Sequence, residues 1–329
     1  MTVWLRHHLR LLLLVVLVVA TCAACARFPA PESPPPIAFA VQPTPPGASE
    51  DDSRQPAPTA DSCDATASLR PGPLPPAGEM PQHTTMADIL GRGRLIVGLD
   101  TGSNPFSFRD PLTGDIQGFD VDIAQAIAQA LFGPLGNIEY RVLSDAERVQ
   151  ALVDHSVDIV VKTMSITCDR RRDVAFSSPY YVASQRILSV RGSSLIDADS
   201  LAGKRVCAAR GATSIGRIEQ LQPRVRVFTT DTWSDCLVMI QQDQVDAVTT
   251  DDGILAGLAE QDPWVQVVGP SLGAEYYGVG IPKGQDDMVR FVNGVLEQLR
   301  ASGRWQQLYN KWLSILGPGN GPPVPTYLD

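Results

Sequence analysis

Histidine is almost absent from this chain. Of 329 residues only four are His, and two of those, His7 and His8, fall in the N-terminal segment. His83 and His155 remain, in unrelated surroundings. No GxSxG, HExxH or strand-following GxGxxG occurs, and GATSIGRI (211–218) lacks the Lys-Ser/Thr end of a phosphate loop. Nothing therefore points to a hydrolase, a zincin or a nucleotide site. No CxxC or His-spaced pattern occurs beyond the first residues, so a zinc site is not expected, and no other metal or cofactor is either. Basic charge is also scarce: 27 Lys and Arg against 36 Asp and Glu leave a net charge of −9. A nucleic-acid partner wants a basic face, and this chain has no such excess. The longest apolar run, 11–20, is short of the ~20 residues that span a membrane.

What is present begins with an export pattern. Arg6, His7, His8 and Arg10 precede the apolar run, and TCAAC follows it. A cysteine directly after small residues resembles the lipobox of bacterial lipoproteins. That resemblance implies lipidation at Cys25, or alternatively at Cys22, and a place on the outer face of the cytoplasmic membrane. Residues 26–81 hold 15 of the 27 prolines and few large apolar side chains, so 26–85 is expected to be an extended tether, and 318–329 a flexible tail.

Four cysteines remain: Cys63, Cys168, Cys207 and Cys236. In an exported chain they suggest two disulfides, for which three pairings are possible. Cys207 and Cys236 lie close together in the sequence and are paired here, which leaves Cys63 with Cys168.

The remaining ~232 residues alternate between strands and helices, which defines an α/β fold with mostly parallel sheets. VDIVVKTMSI (157–166) reads as one strand and YYGVGIP (276–282) as another. GFDVDIAQAIAQALFG (118–133) reads as a helix, with Phe119, Ile123, Ile127 and Leu131 recurring every four residues. Two segments echo each other: RLIVGLDTGSN is answered by KRVCAARGATS, and VDIVVKTMS by VDAVTTDD. Two lobes follow, 86–182 plus 277–317 and 183–276, facing each other across a cleft at their strand ends.

Those strand ends supply the candidate site. One lobe offers Asp100, Thr163, Ser165 and Arg170; the other offers Thr213 and Asp251. An arginine opposite a carboxylate, ringed by hydroxyls, is the complement of a zwitterion. Arg170 can fork onto an α-carboxylate, and Asp251 can accept from an α-ammonium. Asp252 is expected to cap the helix that follows. Arg171 and Arg172 are expected to face water.

The segment from about 94 to 313 resembles the family-3 bacterial extracellular solute-binding proteins, which serve ABC importers of polar amino acids. The resemblance rests on LIVGLDTGSNPFSF, GDIQGFDVDIAQAIA, VDIVVKTMSITCDRRRDVAFSSPYY, YYGVGIPKG and GRWQQLYNKWL. It implies a type II periplasmic-binding-protein-like fold. It also implies that Arg170 and Thr213 hold the α-carboxylate, that Ser165, the Thr163 backbone and Asp251 face the α-ammonium, and that Asp100 lines the pocket. The family's stacking aromatic near Ser103 is missing, so the side-chain end of the pocket is expected to be polar. Arg148, in a stretch like the S-x-x-R of acidic-amino-acid binders, and Lys162 could meet a side-chain carboxylate. The expected ligand is then glutamate or aspartate, with glutamine or asparagine next. The partner is a permease of an ABC transporter or another membrane protein, and the receptor is expected to be monomeric. Two other functions compete: a sensor lipoprotein reporting to a membrane partner, and a dehydratase-like enzyme on the same fold.

Overall fold

The computed structural model describes residues 43–51 and 63–329. The proposed signal segment, with Cys22 and Cys25, lies outside the described residues. Residues 44–329 fold as one unit.

In chain order the elements are β1 (Ser49–Glu50), α1 (Thr85–Arg92), β2 (Leu95–Leu99), β3 (Gly102–Ser103), β4 (Ser107–Arg109), β5 (Ile116–Gln117) and α2 (Phe119–Phe132). Then come β6 (Ile138–Val142), α3 (Arg148–Val153), β7 (Ile159–Val160), α4 (Cys168–Asp173), β8 (Val174–Phe176) and β9 (Tyr181–Val190). Next follow β10 (Arg205–Ala209), α5 (Thr213–Leu221), β11 (Arg226–Thr230), α6 (Trp233–Gln241), β12 (Ala247–Asp251) and α7 (Asp252–Gln261). The chain ends with β13 (Val265–Tyr277), β14 (Gly280–Pro282), α8 (Asp286–Ala301) and α9 (Arg304–Trp312).

Lobe 1 is built on a sheet of order β6-β2-β7-β14-β8, with a small β3-β4-β5 sheet beside it. Lobe 2 is built on β1-β11-β10-β12-β9-β13. In each lobe the central strand, β2 or β10, is parallel to both neighbours. Their C-terminal ends therefore point the same way within a lobe, and loops and helix starts gather there. The helices cover the sheets because their apolar stripes demand it: Ile123, Ile127 and Leu131 of α2 are fully buried.

Two strands carry the chain between the lobes. β9 and β13 pair antiparallel from Tyr181↔Tyr277 through Gln185↔Gly273, and the register shifts between Val268 and Gly273. Their aromatic ends pack with Phe106 and Phe119, so the crossing point is a buried cluster of rings. Tyr180 and Tyr181 both belong to it.

Two strand readings need correction. The ladder of 157–166 covers only Ile159–Val160. Thr163 takes φ +40°, which no strand tolerates, and its N–H turns to the buried Asp120 carboxylate at 2.7 Å. The 276–282 strand likewise divides between β13 and β14.

The Pro-rich segment and the C-terminal tail also need correction. The expectation of a free tether holds only in that residues 63–84 form no core of their own. They lie on lobe 1 instead: Ala67 and Ser68 are buried, the Ser68 hydroxyl donates to Phe176 O (2.9 Å), and Asn293 Nδ2 donates to Ser68 Oγ (2.9 Å) and Leu69 O (2.7 Å). The tail joins them through a bridge between Ser68 and Tyr327 and a bond from Arg70 N–H to the Asp329 side-chain carboxylate (2.8 Å). Residues 44–51 lie on lobe 2 instead, where β1 pairs antiparallel with β11 and Arg226 holds Glu50 (2.7 Å).

Arg171 does not face water. It donates to Ala65 O (2.8 Å) and Ala67 O (2.6 Å) and lies over the Phe176 ring, so it clamps the segment to the lobe. Arg172 is exposed and pairs with Asp169 (2.8 Å).

Cys63 is bonded to Cys168 and Cys207 to Cys236. The first closes a separation of 105 residues. Long loops constrain the denatured chain most, so Cys63→Ala with Cys168→Ala is expected to lower stability by on the order of 2–3 kcal/mol, read by denaturant unfolding.

Candidate ligand site between the lobes

The seam between the lobes is lined from both sides. Asp145, Arg148, Thr163 and Ser165 of lobe 1 face Thr213, Ser214, Trp233 and Asp251 of lobe 2 around a cavity of about 10 Å³. Gly211 allows this approach. It takes φ +81°, and a Cβ there would sit 2.8 Å from the Ala146 Cα. Direct contacts cross the seam. Arg170 Nη2 donates to Gly211 O (3.0 Å), Arg148 Nη2 reaches the same carbonyl (3.4 Å), and the Ser165 and Thr213 hydroxyls are 3.4 Å apart.

Arg170 stands in the first turn of α4, capped by Thr167, whose hydroxyl accepts from Arg170 N–H (3.1 Å). Its guanidinium donates to Ser165 O (2.7 Å) and to Gly211 O. Both partners are neutral carbonyls, and no carboxylate among the described residues forms an ion pair with it. Burial, together with the positive charge of Arg148, pushes its pKa down to about 9. The carboxylates of Asp145, Glu275 and Asp251 offset this in part without an ion pair, and a buried guanidinium so placed favours an anion beside it. Arg170 also borders an outer cavity of about 460 Å³, shared with Arg217, Glu275 and Thr213.

Asp251 ends β12 and occupies the N-cap position of α7 without capping it. This corrects the assignment of the cap position to Asp252, which is the first residue of the helix; its carboxylate accepts from Gly253 N–H (2.9 Å) and from Ser184 N–H (3.2 Å). The Asp251 carboxyl accepts from the Tyr277 hydroxyl. Burial first, and the nearby Glu275 carboxylate second, push its pKa up to about 8. Thr213 opens α5 and donates from Oγ1 to Glu275 (3.1 Å), which Arg217 pairs from its other side (2.8 Å).

Lys162 and Asp100 do not stand free. Lys162 is buried and reaches Asp100 Oδ2 (3.2 Å) and Asp145 Oδ1. The rest of the Asp100 carboxylate is taken by Gly102 N–H (2.9 Å), Thr101 N–H and the Ser103 hydroxyl. Asp100 thus shapes its own turn as well as facing a side cavity of about 340 Å³. Arg148 is buried rather than solvated. Its donors go to Asp145 O (2.9 Å), Lys162 O (3.1 Å) and Thr163 O (3.3 Å), with Asp145 Oδ1 at 3.6 Å. The Thr163 carbonyl therefore faces Arg148. Burial raises the pKa of Asp145, but Arg148, Lys162 and Arg170 outweigh it and hold the carboxyl below its ordinary value.

All eight candidates therefore gather on or beside one seam. A larger cavity, about 710 Å³, lies elsewhere on lobe 1 between Leu74–Ala77, α2 and α8, and none of the eight lines it. Four side chains of this region escape the sequence reading: Asp145, Trp233, Glu275 and Tyr277. Trp233 follows β11, a strand end left out of the inventory of strand ends. Asp145 lies three residues before Arg148, a spacing that puts the two side by side. Glu275 and Tyr277 sit on a crossing strand whose pattern reads as core.

Two parallel-cored α/β lobes, joined by paired crossing strands and meeting on a polar seam, define a type II periplasmic-binding-protein-like fold. The chain belongs to the bacterial extracellular solute-binding proteins, family 3, whose sequence pattern matches residues 95–315. It is 30% identical over 238 residues to the glutamine-binding protein of an ABC transporter in Bacillus subtilis, covering 72% of this chain and 87% of that protein. It is 34% identical over 200 residues to a glutamine-binding protein of Geobacillus stearothermophilus, covering 60% and 76%. Among solved structures, a mutant of ArgBP from T. maritima superposes with a TM-score of 0.65 at 30% identity, covering 70% of this chain and 99% of that one.

Proposed function

We propose that this protein is an extracytoplasmic receptor that binds one free amino acid with a polar side chain and delivers it to an ABC transporter. Lipidation at Cys25 or Cys22 would hold it on the outer face of the cytoplasmic membrane. The observation that carries the reading is the placement beside one seam of Arg170 and Asp251, neither of which forms an ion pair among the described residues. The glutamine-binding names of two relatives agree with it.

In this reading Arg170 forks onto the α-carboxylate, helped by Thr213 Oγ1 and by the first-turn N–H groups of α5. Asp251 and Ser165 take the α-ammonium. Arg170 and Ser165 belong to lobe 1, Thr213 and Asp251 to lobe 2. A ligand touching both sets favours the shut form over an open one. The hinge is the pair of crossing strands near Tyr181–Gln185 and Gly273–Tyr277. Calorimetric titration of the protein with a panel of free amino acids tests the reading; no binding by any of them would overturn it.

The Asp251 assignment has a pH signature. With its pKa raised to about 8, Asp251 is mostly protonated at pH 7. An α-ammonium stabilises the carboxylate, so binding is expected to release close to one proton. Affinity should rise with pH up to about 8 and fall about tenfold per unit on going to acid below it. Calorimetry in buffers of different ionisation enthalpy counts the proton, and Asp251→Asn should abolish the count.

A further inference from the structure

The cations expected to meet a side-chain carboxylate are already answered from within the protein. Arg148 and Lys162 carry two positive charges, and Asp145 and Asp100 two negative ones, in a buried group whose formal charges cancel. Asp145 Oδ1 touches both cations, as the terminal carboxylate of a bound glutamate would have to do. Its other oxygen, Oδ2, accepts no hydrogen bond from any described residue. Trp233 of lobe 2 lines the same cavity, and the two residues also share the side cavity of about 340 Å³. Trp233 is 3% exposed, and its indole N–H is buried with no partner. Buried donors are seldom left unpaired without a reason.

From this pairing of a free acceptor with a free donor across one small cavity, we infer that Asp145 and Trp233 select a side-chain amide. Asp145 accepts from the amide NH₂, and the Trp233 indole N–H donates to the amide oxygen. The inference rests on the receptor reading above and narrows it from acidic or amide amino acids to glutamine or asparagine. A ligand carboxylate would bring a third negative charge against Asp145, with both nearby cations already paired. A basic side chain would lie against Lys162 and Arg148. Of these three, only the amide offers a donor and an acceptor without adding charge, and sites built on hydrogen bonds reject analogues that leave their groups unpaired.

The test is a calorimetric titration of the full protein and two variants with glutamine, asparagine, glutamate, aspartate and arginine. The wild type should bind an amide at least about tenfold more tightly than the matching acid. Asp145→Ala leaves Arg148 without an ion pair and Lys162 with Asp100 alone, and should move that ratio toward the acid by about a hundredfold. Trp233→Phe keeps the ring and removes the N–H, and should weaken amide binding about tenfold. An unchanged amide-to-acid ratio in folded Asp145→Ala, checked by its melting curve, would overturn the inference while leaving the receptor reading intact. Should Asp145→Ala not fold, Trp233→Phe decides: an undiminished affinity for the amide overturns the inference. A wild type that binds no amino acid overturns the receptor reading instead.

Discussion

Arg170→Ala is expected to weaken amino-acid binding by about a hundredfold or more, equivalent to ~3 kcal/mol or above. The size follows from what the substitution strands. An α-carboxylate enclosed between the lobes would lose a cation that forms no ion pair among the described residues, and a buried carboxylate without a partner is costly. The loss has a second part, because Arg170 also joins Ser165 O to Gly211 O and so ties lobe 1 to lobe 2. Arg170→Lys separates the two parts. A lysine keeps the charge but cannot fork onto a carboxylate while reaching both carbonyls, so it should recover only part of the affinity. Melting without amino acid should fall modestly, because Ser165 O and Gly211 O lose a charged donor although no ion pair is removed. Calorimetry is decisive: Arg170→Ala binding within a few-fold of wild type would rule out its assigned role.

The second large effect is at Gly211. Its φ of +81° disfavours any side chain, and a Cβ there would meet the Ala146 backbone of the other lobe at 2.8 Å. Gly211→Val is expected to prop the seam open and cut affinity at least about tenfold, because half-sites that cannot meet lose their shared ligand. Two measurements separate strain from propping. The left-handed conformation alone should cost about 1–2 kcal/mol of stability without ligand. Propping should appear as a larger radius of gyration at saturating amino acid, by X-ray scattering. A saturated variant as compact as wild type would show that Gly211 does not govern closure.

Much of this site is legible in the sequence because parallel α/β sheets place function at strand ends. Arg170, Asp251 and Thr213 each follow a strand closely, and their types alone suggest an ion pair of opposite ends. What the sequence hides is pairing at a distance. Lys162 reads as an unattached cation until the fold sets Asp145 and Asp100 against it, from positions 17 and 62 residues away. Thr163 reads as one more strand residue until its backbone is seen to answer Asp120. The Pro-rich stretch reads as a tether because composition reports whether a segment can make its own core. Composition is silent on whether a segment can borrow a neighbour's core, as Ala67 and Ser68 do.

That borrowing has a mechanical side. Residues 44–51 are fastened to lobe 2 through β1 and Glu50, while 63–84 are fastened to lobe 1 through Cys63, Arg171 and Asn293. The N-terminal chain is thus a leash clipped at both jaws. Any swing of one lobe against the other changes the gap between Asp51 and Cys63. The clip on lobe 2 rests on a two-residue strand and a few side-chain bonds, whereas the clip on lobe 1 is covalent. A pull arriving from the N-terminal side would therefore peel β1 from its sheet long before it loosened the other jaw.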